Sequence, residues 1–405
     1  MDLDHATSPA RIVLDTTRRC QLECWYCHSS SGPDYRGPTL DPGLIPEIFD
    51  TADRLRVFDI GVTGGEPTMW PGLLPLLEHS RRLQFAALHL ITNGLSTPPN
   101  VLAAIESANL SRICVSLDGV ADVHDRNRGA GMFEQTMRGI RELRRVNDNV
   151  TVISVIDGTN HMRWLELTEQ LAELGVAQHH LTPVCFAGHA MGDYHGLSAD
   201  QFAEVHSAVL HKPNQLPGIT VRFNDTLVYP PAARTMAIHQ FTEIWKGWMR
   251  IVRPDGDVRT VMRAWGRSWR ADETTGNLSD LQLSEILTSR ARTAAPFTRP
   301  EEVARKFHLG ADAPMILADL DDICAVEKRD RPLHPAITGR AIPAPQPLGT
   351  TLDDLTRALR STPDRYRLRR EDGFTMVFDT VSHDLVLLEA HEAATLDAEL
   401  RAVPA

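Results

Sequence analysis

The sequence predicts an α/β protein built around a partial barrel of parallel strands, and three observations lead to this fold class. The chain has 405 residues with 42% hydrophobic content, enough for a large core plus one or two smaller domains. From Arg11 onward, short β-branched runs alternate with amphipathic helical stretches, as in βα units. Polar motifs follow the predicted strands, at the carboxyl ends where barrels of this kind form active sites.

Six strands are predicted in residues 1–224, which we assign to a partial (β/α)6 TIM-like barrel. The strands are Ile12–Thr16, Phe58–Thr63, Ala87–Thr92, Ile113–Leu117, Val150–Ile156 and His179–Pro183. Amphipathic stretches such as Leu44–Leu55 and Phe133–Arg145 supply the helices between them.

Three further segments follow the predicted barrel. Residues 225–293 form a second module around a strand-turn-strand pattern. Residues 294–347 are rich in proline, charge and small residues, as irregular connections are. Residues 348–405 form a small α+β domain. The predicted elements are a strand-turn-strand at Ile251–Val258, helices at Leu283–Ala291, Leu352–Leu359 and Ala390–Leu400, and a hairpin of Tyr366–Arg370 with Thr375–Asp379.

Charge and hydropathy exclude several classes of partner. The formal net charge is -11, from 42 basic and 53 acidic side chains, so we expect no binding to nucleic acid or to an anionic membrane. The start, Met1-Asp-Leu-Asp-His5, is acidic where a secretory signal is basic. No apolar run approaches the ~18 residues of a membrane span. We therefore expect a cytoplasmic protein.

Three of the six cysteines, Cys20, Cys24 and Cys27, lie within eight residues directly after the first predicted strand. This arrangement suits metal ligation in a reducing compartment better than a disulfide framework. Iron–sulfur clusters are usually held by four thiolates, so a three-cysteine loop leaves one iron for another ligand. The amino and carboxylate groups of S-adenosylmethionine are candidates for that position.

Three other interpretations of this motif stay open. Cys24-Trp-Tyr-Cys27-His28 matches the pattern for covalent haem attachment, although that leaves Cys20 unexplained. The three thiols with His28 could hold structural zinc. Spacings of four and three also place the cysteines on one helical face, where they would be packing residues.

Motifs after the next strands carry a family resemblance. The second strand ends in Gly64-Gly65-Glu66-Pro67, and the third and fourth are followed by polar groups that include Asn93 and Asp118. Together with the cysteines, over roughly residues 11–285, the chain resembles the radical S-adenosylmethionine superfamily, in the branch with a SPASM-type carboxyl-terminal module. The resemblance implies one [4Fe–4S] cluster on Cys20, Cys24 and Cys27, and a 5'-deoxyadenosyl radical that abstracts a substrate hydrogen atom.

The resemblance also implies contacts to S-adenosylmethionine. Glu66 would accept a hydrogen bond from the cofactor's ammonium group, and Arg128 would pair with its carboxylate. The implied cofactor-binding residues are Tyr26, Gly64, Gly65, Glu66, Pro67, Asn93, Ser116, Asp118, Arg128, Asn160 and Thr182. Turn formation, a solvated charged loop and core packing are the alternative roles for these side chains.

The chain departs from its family in the second module. Trp245 and Val261 stand about where a SPASM module has cysteines, and Cys114, Cys185 and Cys324 are too few for further four-thiolate clusters. We therefore expect a SPASM-like module without auxiliary clusters. Cys185, just past the sixth strand, is a candidate hydrogen-atom donor, or otherwise a buried packing residue.

The predicted substrate is a ribosomally made peptide, which would make the chain a peptide maturase. The tail from Tyr366 is similar to the PqqD-like peptide-binding fold, and a small capping domain is its alternative. The second candidate function is tailoring of a small natural product such as a sugar, cyclitol or nucleoside antibiotic, by oxidation, epimerisation or decarboxylation. A non-catalytic metal-binding scaffold is the third. The resemblance implies a flavodoxin or ferredoxin as electron donor.

Overall fold

A computed structural model gives the structure of the chain. It describes residues 7–184, 188–191, 195–198, 201, 204–205, 208–209, 218–223, 226–229, 235–237, 249–259, 274–288, 315–318 and 351–401. The predicted Cys185, Trp245, Val261 and Cys324 positions lie outside the described residues.

Ten strands form the main sheet, and its centre is the predicted series of parallel βα units. The strands are β1 (Arg11–Asp15), β2 (Asp59–Thr63), β3 (Ala87–Thr92), β4 (Arg112–Ser116), β5 (Val150–Ile156), β6 (Gln178–Pro183), β7 (Thr220–Phe223), β10 (Met249–Val252), β11 (Asp257–Arg259) and β12 (Thr274–Asn277). Their order is β12-β11-β10-β1-β2-β3-β4-β5-β6-β7. The predicted α/β fold with a parallel barrel sheet is thereby confirmed.

The strand-turn-strand pattern predicted in the second module joins this same sheet. β10 pairs with β1 in parallel, from Arg11 opposite Met249 to Leu14 opposite Val252. β11 and β12 then continue the sheet in antiparallel fashion. The first strand of the barrel is therefore an interior strand, with β2 on one side and β10 on the other.

Most of the helices between Ile45 and Thr288 cover the outer face of the main sheet, whereas the last two pack in the tail domain. Their amphipathic periodicity places apolar side chains on one side, as in α1, which buries Ile48, Phe49 and Ala52. The helices are α1 (Ile45–Arg54), α2 (Leu73–His79), α3 (Pro99–Ser107), α4 (Ala121–Arg128), α5 (Met132–Val146), α6 (Trp164–Glu173), α7 (Leu283–Thr288), α8 (Leu352–Ser361) and α9 (Ala390–Arg401). In the described part of the chain, none of these helices has the length and apolarity needed to cross a bilayer.

The two faces of β1 have different surroundings. Ile12 and Leu14 point outward into the main core that lies between the sheet and the helices. Arg11, Val13 and Asp15 alternate with them and therefore point to the opposite side, which we call the inner face of the barrel. Asp15 is the last residue of β1, so its side chain lies at the carboxyl end of this inner face.

The tail forms a separate antiparallel sheet with two helices. Its strands are β14 (Tyr366–Glu371), β15 (Phe374–Asp379) and β16 (Asp384–Glu389), in the order β14-β15-β16-β9, where β9 is Thr235–Ala237. A further pair consists of β8 (Thr226–Tyr229) and β13 (Met315–Ala318). The predicted hairpin and both helices are present, whereas β16 was not predicted.

This tail domain packs against the amino ends of the barrel strands. Val381 O, in the turn between β15 and β16, accepts hydrogen bonds from Asn149, just before β5, and from Gln178, the first residue of β6. Arg222 forms a two-pronged ion pair with Asp384. The domain therefore closes the end of the barrel opposite to the carboxyl ends of the strands.

A buried cluster of ionisable groups joins the two domains. Asp59 Oδ1 lies 2.9 Å from His89 Nδ1 and 3.4 Å from His383 Nδ1, while Arg11 donates to the other carboxylate oxygen. Burial favours the neutral form of Asp59, but Arg11 and both histidines hold its pKa well below the usual value. Because Arg112 adds a second positive charge nearby, the cluster does not suit a metal cation.

Both histidines of this cluster are buried in the neutral form, which makes stability depend on pH. Burial lowers the pKa of His89 to about 4, and burial and Arg112 lower that of His383 to about 3, against an ordinary 6.5. An imidazole whose pKa is lower in the folded chain binds protons preferentially after unfolding. The free energy of unfolding therefore falls as the pH drops below about 6.5.

We predict that His383→Asn removes part of this dependence. Asparagine tolerates the positive φ of 60° at this position and has no titrating proton. Between pH 6.5 and 4.5 the unfolding free energy of the variant should fall less steeply than that of the wild type. The two slopes should differ by about 1.4 kcal/mol per pH unit, the contribution of one proton. Urea denaturation at several pH values measures the slope, with the exposed His391→Asn as control. Equal slopes for wild type and His383→Asn would show that His383 titrates normally.

Candidate functional site

The cysteine loop runs directly from the carboxyl end of β1. Thr16 fixes its start by donating from both its amide and its hydroxyl to Thr63 O at the end of β2. Within the loop, Cys27 N donates to Cys24 O and Ser30 N to Cys27 O. Residues 20–27 form turns and no helix, so the interpretation of these cysteines as one face of a helix was wrong.

The three thiols suit an iron–sulfur cluster. All are free, and Cys20 and Cys24 are buried. Their sulfur atoms do not all approach within 4.8 Å of one another. A single tetrahedral zinc, with Zn–S bonds of about 2.3 Å, needs closer sulfurs than a cluster of several irons. Burial raises the pKa of Cys20 to about 12 and of Cys24 to about 11, so metal binding must displace their protons.

Donors surround two of the sulfur atoms. Cys27 Sγ accepts a hydrogen bond from Ser31 N at 3.4 Å and lies 3.3 Å from Ser29 Oγ. The hydroxyl oxygens of Ser29 and Ser31 are 2.7 Å apart. Asn93 Nδ2 lies 3.8 Å from Cys20 Sγ. Hydrogen bonds to ligand sulfurs tune the reduction potential of iron–sulfur clusters. Sequence reasoning missed both serines, although they directly follow the cysteine motif.

The two glycines after β2 bring its turn against the cysteine loop. Gly65 N donates to Thr17 O and Glu66 N to Arg19 O. A Cβ at Gly64, whose φ is +150°, would lie 2.5 Å from Thr17 O, and one at Gly65 would lie 2.4 Å from Arg19 O. The close backbone approach that these glycines permit is therefore to the cysteine loop.

Glu66 is completely buried beside this contact. Its carboxylate accepts hydrogen bonds from Thr92 Oγ1 at 2.7 Å, Asn93 N at 2.7 Å and Thr68 N at 3.0 Å. Burial raises the pKa of the carboxyl, and these three donors oppose the rise. A carboxylate offers about four acceptor positions, so one remains for a cationic ligand. Thr92 is a supporting residue that sequence reasoning did not single out.

Three other predicted residues meet in one buried network. Arg128 donates from Nε and Nη2 to the two oxygens of Asp118, each at 3.0 Å, and the Tyr26 hydroxyl donates to the same carboxylate. Burial favours a neutral Asp118, but the Arg128 guanidinium holds its pKa below the usual value. The network fixes Tyr26 next to Cys24 and Cys27. It also uses the two Arg128 donors, Nε and Nη2, that were predicted to bind the cofactor's carboxylate.

The remaining predicted contacts lie around the same end of the barrel. Ser116 is the last residue of β4, and its hydroxyl has no partner among the described residues. Asn160 is buried, accepting from Asp157 N and donating to Val155 O, so both ends of its amide stabilise the loop after β5. Thr182 is in β6, and Pro67 opens a short 3-10 turn. Their roles toward the cofactor stay predictions.

The chain after β6 returns to cover the cysteine loop. His189 Nδ1 lies 3.1 Å from Cys24 O, and His189 N donates to Cys27 O. A Cβ on Gly188 would lie 2.2 Å from Cys27 O, so this position accepts only glycine. Trp25, His189, Arg126 and His195 border a cavity of about 570 Å³ beside the cysteine loop. The cavity is large enough for a small-molecule ligand or for several side chains of a peptide.

Comparison with known families settles the relationship that this geometry suggests. The family model described as Radical SAM superfamily matches residues 14–171, from β1 to α6 and across all three cysteines. This part of the chain is a radical SAM domain. Enzymes of this family use a [4Fe–4S] cluster and S-adenosylmethionine, and the donor set described above fits both.

Individual relatives are similar over part of their length. Mycofactocin maturase MftC of Mycobacterium ulcerans is 30% identical over 167 residues, covering 41% of this chain and 45% of the relative. PqqA peptide cyclase of Ruegeria pomeroyi is 32% identical over 188 residues, covering 45% and 49%. The chain spans about half the length of these curated relatives.

One solved structure shares the fold. The crystal structure of Streptococcus suis SuiB bound to precursor peptide SuiA aligns with a TM-score of 0.60 and 12% identity, covering 71% of this chain and 66% of that chain. At this identity the likeness concerns the fold.

We predict that Asp118→Asn strongly destabilises the radical SAM domain. The change leaves the Arg128 charge buried without its counter-ion, which should reduce the free energy of unfolding by roughly 3–5 kcal/mol. The double variant Asp118→Asn with Arg128→Met buries no charge and should recover most of the loss. Urea denaturation of the metal-free chain measures both. A loss below about 1 kcal/mol in the single variant would contradict the pairing.

Proposed function

We propose that the chain is a radical SAM enzyme that binds one [4Fe–4S] cluster on Cys20, Cys24 and Cys27, cleaves S-adenosylmethionine and abstracts a hydrogen atom from a peptide. One observation carries the proposal. Three free thiols and the buried Glu66 carboxylate meet at the carboxyl end of the barrel, where Asn93 contacts both Cys20 and Glu66.

The chain's own residues would hold and orient the cofactors. When bound, the reduced cluster supplies the electron that cleaves S-adenosylmethionine to methionine and a 5'-deoxyadenosyl radical. Glu66, with one acceptor position left, binds the cofactor's ammonium group, and Ser116 offers an unpaired hydroxyl at the end of β4. Arg128 acts mainly through Asp118, which keeps Tyr26 in place above the cysteine loop. Trp25 and His189 border the cavity that receives the substrate.

A peptide is the substrate class that the comparisons support. PqqA peptide cyclase carries a peptide in its name, and SuiB was solved with a precursor peptide. The tail domain contributes to folding in this proposal and does not present the peptide. Its edge strand β14 lies at the amino end of the barrel, and β5 alone, with seven residues, separates the two ends by roughly 20 Å.

The partners follow from this chemistry. A one-electron donor such as a flavodoxin or ferredoxin reduces the cluster, and the free thiols suit the reducing cytoplasm. Cys185, outside the described residues, stays a candidate hydrogen-atom donor.

Anaerobic reconstitution with iron and sulfide tests the radical chemistry. After reduction and addition of S-adenosylmethionine, we expect 5'-deoxyadenosine together with about four irons per chain. Alanine variants of Cys20, Cys24 or Cys27 should lose both the iron and the product. Cys114→Ala, a buried cysteine in β4, is the matched control and should keep them. Iron binding without 5'-deoxyadenosine in the wild type would leave only the metal-binding scaffold.

A further inference from the structure

A buried carboxyl group without a partner lies close to the site and is not used by it. Asp15, at the carboxyl end of β1, is completely buried, and neither of its oxygens has a hydrogen-bond donor within the described chain. Buried polar groups in native proteins are nearly always hydrogen-bonded, so an orphaned carboxyl at an active-site end calls for a ligand. Burial raises the pKa of Asp15 to about 7.

Two guanidinium groups face the same space with unused donors. Arg253 follows β10, the strand beside β1, and its Nε lies 3.8 Å from Asp255 Oδ1, with no acceptor at hydrogen-bond distance. The guanidinium of Arg18, in the cysteine loop, makes no hydrogen bond to the described residues. Both lower the pKa of Asp15 electrostatically, yet neither forms an ion pair with it. The three side chains are near one another without an ion pair to Asp15, and we call the space among them the gap.

The gap lies at the carboxyl end of the barrel, on the side of β1 away from the cofactor contacts. Asp15 points to the inner face of the barrel, five residues before Cys20. Val13, on the same face of the same strand, packs against Met249 and Ile251 of β10, so the gap lies over the β1–β10 junction. Glu66, Asn93 and Asp118 lie on the opposite side of β1, after β2, β3 and β4. The gap is therefore beside the cofactor contacts and separate from them.

The group that would fill the gap must offer a donor to Asp15 and an acceptor to arginine. We propose that Asp15, Arg18 and Arg253 form a substrate-binding site for a peptide amide, whose N–H donates to Asp15 and whose carbonyl accepts from Arg253. The amide is the smallest peptide unit with both groups. Arg18 and Tyr35, each partly exposed, mark the side from which a peptide enters. This inference rests on the proposed function, because it names a contact of that substrate.

A binding experiment with the full-length, cluster-loaded chain tests this site. A display library of random 12-residue peptides is selected on the wild type, and one enriched peptide is synthesised. We expect Asp15→Asn and Arg253→Gln each to weaken its binding about tenfold, since each loses a charge-assisted hydrogen bond. Asp34→Asn and Arg36→Gln, at exposed positions nearby, are matched controls and should bind as the wild type does.

Replacing the amides of the peptide one at a time by esters separates contact from structural support. One ester, which lacks the N–H, should weaken binding to the wild type about tenfold and weaken binding to Asp15→Asn clearly less, because the neutral asparagine oxygen accepts a weaker hydrogen bond. If Asp15→Asn binds as the wild type does, Asp15 holds only a buried water and the inference is overturned. It is equally overturned if no ester position couples to Asp15 or if no peptide is enriched.

Formation of 5'-deoxyadenosine by the wild type is measured in parallel. A chain that cleaves S-adenosylmethionine but shows no coupling to Asp15 disproves only this site. A chain that binds the peptide but cleaves no S-adenosylmethionine disproves the proposed function instead.

Discussion

The backbone contact between the cysteine loop and the turn after β2 is the constraint on which the rest of the site depends. Gly65 N and Glu66 N donate to Thr17 O and Arg19 O, and no side chain fits at either glycine. The contact places the Glu66 carboxylate beside the Cys20 thiol. Such preorganisation means that little conformational entropy is lost when the cluster and the cofactor bind.

The barrel separates chemistry from stability along its axis. Its carboxyl end carries the cysteine loop, Glu66 and the buried Asp118–Arg128 pair, whose charges are balanced within the protein. Its amino end is closed by the tail domain, where His383 lies 3.4 Å from Asp59, a residue far away in sequence. We therefore expect substitutions at the amino end to change the stability of the fold, and substitutions at the carboxyl end to change the binding of ligands.

Local patterns in the sequence predicted much of this structure. Most of the strands β1 to β6 are short runs rich in aliphatic and β-branched residues, because both faces of a parallel sheet are buried. Their bounds were predicted to within one or two residues. The parallel pairing of β10 with β1 was not predicted, since a strand-turn-strand pattern does not specify which neighbour it joins. The motifs located Cys20 and Glu66, but the Asp118–Arg128 pair and the unpartnered Asp15 depend on packing. Ser29 and Ser31 were within reach of the sequence, as hydroxyls next to a metal motif.

Electron paramagnetic resonance of the anaerobically reconstituted and reduced chain tests most directly whether the three-cysteine loop leaves an iron for S-adenosylmethionine. We predict the signal of one reduced [4Fe–4S] cluster per chain, and a clear change in its g-values when S-adenosylmethionine is added. A signal that is identical with and without S-adenosylmethionine would contradict the account, because all four irons would then be fully ligated by other groups.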